Sequence, residues 1–251
     1  MSGHSKWANI KHKKARTDAV KGKAFTKMGK EIIIAARAGG GDPEGNARLK
    51  MLIQKAKAMN MPNDNIDRAV KRGTGEIEGD ALEELFYEGY GPGGVALLVS
   101  IATDNRNRTA SDVRHLFSKH GGNLGESGCV AWMFKRRGVF TIYKEGLPID
   151  AEELELLAIE AGAEDIKDED DYLEIICLPE NYEAVRSALE SSKIEPEEAD
   201  ISMVPETTVD INDLEMARKL MKLIDLLEEH DDVQDVFGNF DIPDEIMENL
   251  E

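Results

Sequence analysis

The N-terminal segment of the chain combines two kinds of side chain that together bind nucleic acids. Lysines and arginines neutralise phosphates and release counterions, and aromatic or imidazole rings offer faces on which bases stack. We therefore predict nucleic-acid contacts for the side chains of His4, Lys6, Trp7, Lys11, His12, Lys13, Lys14, Arg16, Lys21, Lys23, Lys27 and Lys30. The alternative interpretation is a solvated basic tail with the Trp7 ring packed against the helical bundle that follows.

A second group of cations lies in the segment Asp104–Thr109, where a predicted strand passes into a predicted helix. Free N–H groups at a helix N-terminus favour anions, so Arg106 and Arg108 are predicted to form a second phosphate contact. The alternative is structural: Asp104 or Asn107 caps the turn, and the two arginines pair with nearby glutamates.

Charge is distributed very unevenly along the 251 residues. Residues 1–75 carry 17 basic and 6 acidic side chains, a net charge of +11, whereas residues 76–251 carry 14 basic and 44 acidic side chains, a net charge of −30. Because a strongly acidic surface repels a polyanion, this segregation indicates that one basic module makes the nucleic-acid contact.

The elements that position these cations begin with helices. Residues 1–20 read as a basic arm, and apolar residues recurring every three to four positions predict helices over 21–38, 46–59 and 64–72. We expect Asn63 to cap the third helix and Gly73 to end it, before a polar linker. A helical nucleic-acid-binding domain, including the arm, is therefore predicted for residues 1–80.

Beyond residue 80 the pattern changes to strands mixed with helices. Leu82–Tyr90 and Val95–Thr103 are predicted strands joined by the Gly91–Gly94 turn. Thr109, with Asp112 three residues later, is expected to cap a helix that runs to residue 120, and another strand is predicted over 130–135.

Residues 136–204 then follow the order β-α-β-β-α-β of a ferredoxin-like unit. A strand, a long helix and a strand at 207–211, 214–230 and 233–239 supply the elements that 81–135 lacks. We predict that 136–204 is inserted into a discontinuous α/β domain formed by 81–135 and 205–240. The predicted fold class is α+β multidomain: an N-terminal three-helix domain followed by two ferredoxin-like α/β domains, one inserted in the other.

The sequence lacks the usual motifs for binding a dinucleotide cofactor or a metal ion. Gly89–Gly94 resembles a dinucleotide-binding loop, but a strand follows it and Pro92 removes an N–H that a phosphate would need. His115, His120 and Cys129 lack metal-ligand spacing. We therefore expect no enzyme activity, cofactor, metal or small-molecule substrate. With two distant cysteines and no apolar run of the ~18–20 residues that a membrane span needs, we expect a cytoplasmic protein without a membrane partner.

Several segments together resemble the sequence signature of the YebC/PmpR family over essentially the full length. They are Gly3–Lys27, Gly39–Pro43, Asn60–Pro62 with Asn65-Ile66, Tyr87–Gly94, Asp104–Arg108, His115–Leu124, Asp231–Gln234 and Asn239-Phe240. The resemblance implies a helical domain and two α/β domains, the third inserted into the second, with no known catalytic site. It also implies a cytoplasmic transcriptional regulator that binds promoter DNA. Relatives of this family, including a mitochondrial translational activator of cytochrome oxidase, act on the ribosome.

The resemblance and the residues leave several functions open. The first is a non-enzymatic nucleic-acid-binding regulator of gene expression, a YebC-type transcriptional regulator on promoter DNA. The basic residues of 21–38 are mostly lysines, which suit phosphates better than base edges. This chemistry also suits the alternative that the resemblance implies, a ribosome-associated translation factor that contacts ribosomal RNA and relieves stalling; the acidic remainder would suit contacts with basic ribosomal proteins. A second alternative is a protein-interaction adaptor that works through the acidic domains. An enzyme using the glycine-rich loops is a further hypothesis, which nucleotide or metal binding would support.

Overall fold

The structure, a computed structural model, describes residues 18–169 and 171–250. It divides into two compact units: Trp132–Thr207 form one, and the chain up to Ala131 together with the chain from Thr208 onward forms the other. Most of the predicted N-terminal arm, residues 1–17, lies outside the described residues. The domain boundaries predicted from the sequence, including a separate domain over residues 1–80, stay predictions.

Three helices open the larger unit. They are α1 (Asp18–Gly39), α2 (Ala47–Ala58) and α3 (Asn63–Thr74). Their apolar faces form one core, to which Met28 and Ile32 of α1, Leu49 and Leu52 of α2 and Ile66 of α3 contribute. The three predicted helices are confirmed. They could be predicted because the spacing of the apolar residues determines which face of each helix is buried.

Two expectations for the ends of α3 are wrong. Asn63 is the first residue of the helix, and Pro62 before it gives no side-chain cap. The helix does not stop at Gly73 but at Gly75, whose φ of 84° is left-handed. Gly73 instead faces α1, where an added Cβ would lie 2.6 Å from the carbonyl oxygen of Ile33. Its missing side chain lets the two helices approach closely.

A four-stranded antiparallel sheet continues the larger unit, in the order β3-β1-β2-β9. Its strands are β1 (Glu83–Tyr90), β2 (Ala96–Thr103), β3 (Asn123–Leu124) and β9 (Val233–Gly238). The predicted hairpin is confirmed, with Tyr90 opposite Ala96 and a short turn between them. Helices α4 (Arg106–Lys119) and α7 (Leu214–Glu228) pack on the sheet through a shared apolar core.

The start of α4 differs from the prediction. Asn105 is the N-cap, and its side chain accepts the backbone N–H of Arg108. Thr109, which we expected to cap the helix, is fully buried within it, and its hydroxyl lies 3.1 Å from the carbonyl oxygen of Asn105. Arg106 and Arg108 therefore belong to the first turn of the helix and do not precede it.

Unit 132–207 has the predicted β-α-β-β-α-β order and a ferredoxin-like antiparallel sheet arranged β5-β6-β4-β7. Its elements are β4 (Phe134–Tyr143), α5 (Ala151–Glu160), β5 (Ala163–Asp168), β6 (Tyr172–Cys177), α6 (Tyr182–Ser191) and β7 (Glu198–Pro205). A short parallel pair, β8 (Val209–Asp210) with β10 (Phe240–Asp241), and a last helix, α8 (Asp244–Glu248), complete the larger unit. The α+β multidomain class is thereby confirmed.

The predicted strand over residues 130–135 is wrong for residues 130–133, whereas Phe134 and Lys135 do lie in a strand. Ala131–Met133 form a single helical turn, and β4 runs unbroken from Phe134. The buried carboxylate of Glu88 accepts the N–H groups of Val130 and Ala131, at 2.8 and 2.7 Å, so this backbone needs no strand partner.

Among the described residues, none of the helices combines the length and apolar character that a membrane crossing requires.

Candidate nucleic-acid interface

The predicted contact residues fall into three groups in the structure. The first lies outside the described residues and consists of His4, Lys6, Trp7, Lys11, His12, Lys13, Lys14 and Arg16. Lys21 lies in α1, but its side chain is also outside the described part. The others, Lys23, Lys27 and Lys30 of α1 and Arg106 and Arg108 of α4, have described side chains.

The lysines of α1 bind the C-terminal end of α7. The Lys23 amine donates to the carbonyl oxygen of Glu229 at 3.2 Å, and the Lys27 amine donates to that of Glu228 at 2.9 Å. The last carbonyls of a helix have no partner within it and form its negative end. These two lysines therefore satisfy and stabilise the end of α7.

Lys30 is bound by three acceptors. Its ammonium group donates to the carbonyl oxygens of Ala102 at 3.1 Å and Asp231 at 2.8 Å, and to the Oδ1 atom of Asp232 at 2.7 Å. An ammonium group has three N–H donors, and here each has an acceptor. A phosphate could bind this lysine only by displacing one of them, so its phosphate contact stays a prediction.

Asp232 joins α1, β2 and α4 in one network. While Oδ1 binds Lys30, Oδ2 accepts hydrogen bonds from Arg108 at 2.8 Å, from Thr109 at 2.8 Å and from Thr103 at 3.2 Å. The Asp232 side chain is only 8% exposed. Burial alone would raise the pKa of Asp232, but hydrogen bonds from Lys30, Arg108 and Thr109 outweigh it and hold that pKa well below its ordinary value.

The two arginines of α4 have different surroundings. Arg108 bridges Asp232 and Asp104, which lies 2.9 Å away, so its partners are aspartates and not the glutamates that the structural alternative expected. The Arg106 side chain is 65% exposed, and its Nε atom lies 3.7 Å from a Glu83 carboxylate oxygen at the surface. Such an exposed pair is weak, so a phosphate could replace the glutamate at Arg106 at little cost.

Asp232 and Thr103 were missed as site residues by reasoning from sequence. The pair Asp231-Asp232 was noted only as part of the family resemblance. In a chain with 50 acidic residues, nothing local distinguishes Asp232 as one of those that become buried. The lysine positions did contain a signal, because residues 23, 27 and 30 share one face of a helix.

The geometry defines a class of protein with a basic helical module and an α/β sheet domain. Lysines of the module bind acceptors in the sheet domain and so attach the one to the other. A ferredoxin-like unit is inserted into the chain of that sheet domain. Residues 5–76 match the model of the TACO1/YebC protein N-terminal domain, and residues 82–240 match the model of the TACO1/YebC second and third domain. The chain belongs to the TACO1/YebC family, and the resemblance seen in the sequence is confirmed.

Individual relatives agree with this assignment. The chain is 62% identical to a probable transcriptional regulatory protein of Syntrophomonas wolfei, over 100% of both chains. It is 63% identical to another protein of that name from Moorella thermoacetica, also over 100% of both. The crystal structure of a conserved hypothetical protein from Aquifex aeolicus is similar, with a TM-score of 0.82, 50% identity and coverage of 92% of this chain and 94% of that one.

Proposed function

We propose that this chain is a non-enzymatic, nucleic-acid-binding regulator of gene expression that acts on promoter DNA. The observation that carries the proposal is the charge segregation, +11 over residues 1–75 against −30 over the remainder. An acidic body repels the polyanion, so binding is centred on the basic module. The names of the relatives, probable transcriptional regulatory proteins, support the same function.

Within this proposal, the phosphate contacts come first from the five cations among residues 1–17 and from Lys21. Arg106 adds a contact from α4, because it is exposed and weakly paired. Lys30 and Arg108 serve the fold first, since both bind Asp232 and would reach a phosphate only after releasing it. Lys23 and Lys27, each bound to backbone carbonyls, are secondary contacts.

A second candidate is a translation factor that binds ribosomal RNA and relieves stalling. The observation that favours it is the chemistry of the cations, because eight of the ten in residues 1–38 are lysines. Lysine neutralises phosphate as a point charge, whereas arginine reads guanine bidentately in the major groove. A lysine-rich binding surface suits an RNA that is recognised by its shape as well as it suits DNA.

The test measures the affinity of the full chain for a DNA duplex and for a folded RNA over a series of salt concentrations, by fluorescence anisotropy. Two charge-matched triple variants are compared, K11Q/K13Q/K14Q in the arm and K57Q/R68Q/K71Q on the exposed faces of α2 and α3. We expect the arm variant to bind more weakly and to lower the salt slope for DNA by about 2.7, roughly 0.9 per lost phosphate contact.

The outcomes separate the candidates. An unchanged slope and affinity for the arm variant would refute the proposed use of the arm. Tighter binding of RNA than of DNA at every salt concentration would favour the translation factor. A chain that binds neither nucleic acid, although far-UV circular dichroism shows it to be folded, would leave the protein-interaction adaptor as the better explanation.

A further inference from the structure

The helix α5 of unit 132–207 exposes two large aliphatic side chains next to each other. Leu156 is 63% exposed and Ile159 is 58% exposed, and their spacing of three residues puts them side by side on the helix surface. The same helix buries Leu154 and Ala158 on its opposite face. A globular helix normally places polar residues on its solvent face, so this pair stands out from singly scattered apolar residues.

Glutamates surround this apolar pair. At 100° per residue, Glu152, Glu155 and Glu160 lie around Leu156 and Ile159, with Glu152 and Glu160 exposed and Glu155 half-buried. Glu153 lies at the edge of the exposed face, and α5 contains no Lys, Arg or His. None of the four glutamates forms an ion pair with a residue that the structure describes. The surface is therefore an apolar centre with an uncompensated acidic rim.

Two charges of this rim suit the helix, because Glu152 and Glu153 lie in its first turn at the positive end of the macrodipole, but other features of the rim oppose it. Glu152 and Glu155 are like charges three residues apart, an arrangement that destabilises an isolated helix. Glu160 lies in the last turn, where the negative end of the macrodipole disfavours a carboxylate. A bound cationic partner would relieve both repulsions, whereas the fold gains nothing from them.

We infer that this face of α5 is a docking surface for a lysine- and arginine-rich amphipathic segment of another protein. The apolar side chains of such a segment would cover Leu156 and Ile159, and its cations would pair with the glutamate rim. Charge complementarity selects this occupant. A nucleic acid or an anionic membrane is repelled by the rim, and a second copy using the same face would place glutamates against glutamates.

The experiment uses the full chain and a synthetic peptide of about four helical turns, built from leucine on one face and lysine on the other. Two control peptides keep the length: one replaces lysine by glutamate, and one keeps the lysines but replaces leucine by serine. Binding is followed by anisotropy of a label on the peptide. We expect the leucine–lysine peptide to bind and both controls to bind far more weakly.

Variants locate the surface. L156S/I159S removes the apolar centre, and E152Q/E155Q/E160Q removes three of the four charges of the rim. The matched control, E180Q/E183Q/E195Q, neutralises three exposed glutamates elsewhere in the same unit. We expect L156S/I159S to weaken peptide binding about a hundredfold, since each of the two buried aliphatic side chains contributes about a factor of ten. The rim variant should weaken binding and flatten its salt dependence, while the control variant should bind as the original chain does.

The substituted side chains are exposed or half-buried, so the variants should keep their far-UV circular dichroism spectra, and this is verified first. Equal binding by the serine–lysine peptide would overturn the inference, as would unchanged binding by L156S/I159S or the absence of binding. Analytical ultracentrifugation supplies the remaining outcome. A self-association of the original chain that is lost in L156S/I159S would assign the surface to a second copy and would also overturn it.

Discussion

Replacing Asp232 by Asn should destabilise the larger unit far more than its small change in volume suggests. The variant keeps an oxygen that can accept hydrogen bonds but removes the negative charge between Lys30 and Arg108. The NH₂ group of the new amide must also point at one of the donors whose hydrogen bonds Asp232 accepts in the original chain. The Lys30 side chain is 16% exposed, so its ammonium would be left largely desolvated without a counter-charge.

The magnitude follows from the burial of each partner. Breaking a buried pair by removing one charge typically costs about 3–5 kcal/mol. Lys30 is nearly buried, whereas half of the Arg108 side chain is exposed and its share is screened. The carbonyl oxygens of Ala102 and Asp231 also continue to bind Lys30. We therefore expect D232N to lower the free energy of unfolding by about 3 kcal/mol, at the lower end of that range.

The effect should depend on pH in a defined direction. The pKa of Asp232 is lowered in the folded protein, so the stabilisation by its carboxylate is fully present above the unfolded pKa of about 3.9. It is lost as the pH falls below that value toward the folded pKa. The difference in stability between the original chain and D232N should be constant from about pH 5 to pH 8 and should shrink below about pH 4.

Urea unfolding followed by far-UV circular dichroism measures this difference. The matched control is D104N, because Asp104 also binds Arg108, at 2.9 Å, but is 37% exposed. An exposed ion pair contributes at most about 1 kcal/mol, so D104N should have a small effect. If D232N were no more destabilising than D104N, the network around Asp232 would not hold α1 in the way that its geometry indicates.

Three further substitutions test the packing that positions the site, each by urea unfolding. E88Q should destabilise by about 1–2 kcal/mol, because Glu88 accepts three backbone N–H groups as a charged acceptor, and an unchanged stability would contradict this. N46A should cost about 2 kcal/mol, since Asn46 caps α2 and is buried, and a loss below a few tenths would contradict its role. G73A should cost about 1–3 kcal/mol through the clash with Ile33, whereas G22A, with no neighbour within 4 Å, should not destabilise.

The sequence predicted the elements well where local information is sufficient. The stripes that formed α1, α2 and α3 needed only the spacing of apolar residues. The ends of elements were predicted less well, because a cap is selected by backbone geometry among several suitable residues. Asn105, Asn107 and Thr109 could each cap α4 by their chemistry, and the structure uses Asn105. Thr109 is instead buried against Asp232.

The site was harder to predict for a different reason. The ion pair of Lys30 with Asp232 joins residues 202 positions apart, and no local rule relates them. The spacing of Lys23, Lys27 and Lys30 showed that they share a helical face, but a face of lysines suits a phosphate backbone and a row of carbonyl oxygens equally well. Only the tertiary structure, which brings the end of α7 against this face, distinguishes the two.

These intramolecular contacts reduce the number of cations that the basic N-terminal module can offer to a nucleic acid. Its net charge of +11 suggests a wide phosphate-binding surface, yet three of its lysines bind acceptors on the α/β part of the same unit. Since a donor that already has an acceptor gains little from a phosphate, the cations free to neutralise a nucleic acid are fewer than the charge implies. The same lysines attach the module to a strongly acidic body. Long-range repulsion by that body then disfavours nucleic-acid contacts outside the basic module.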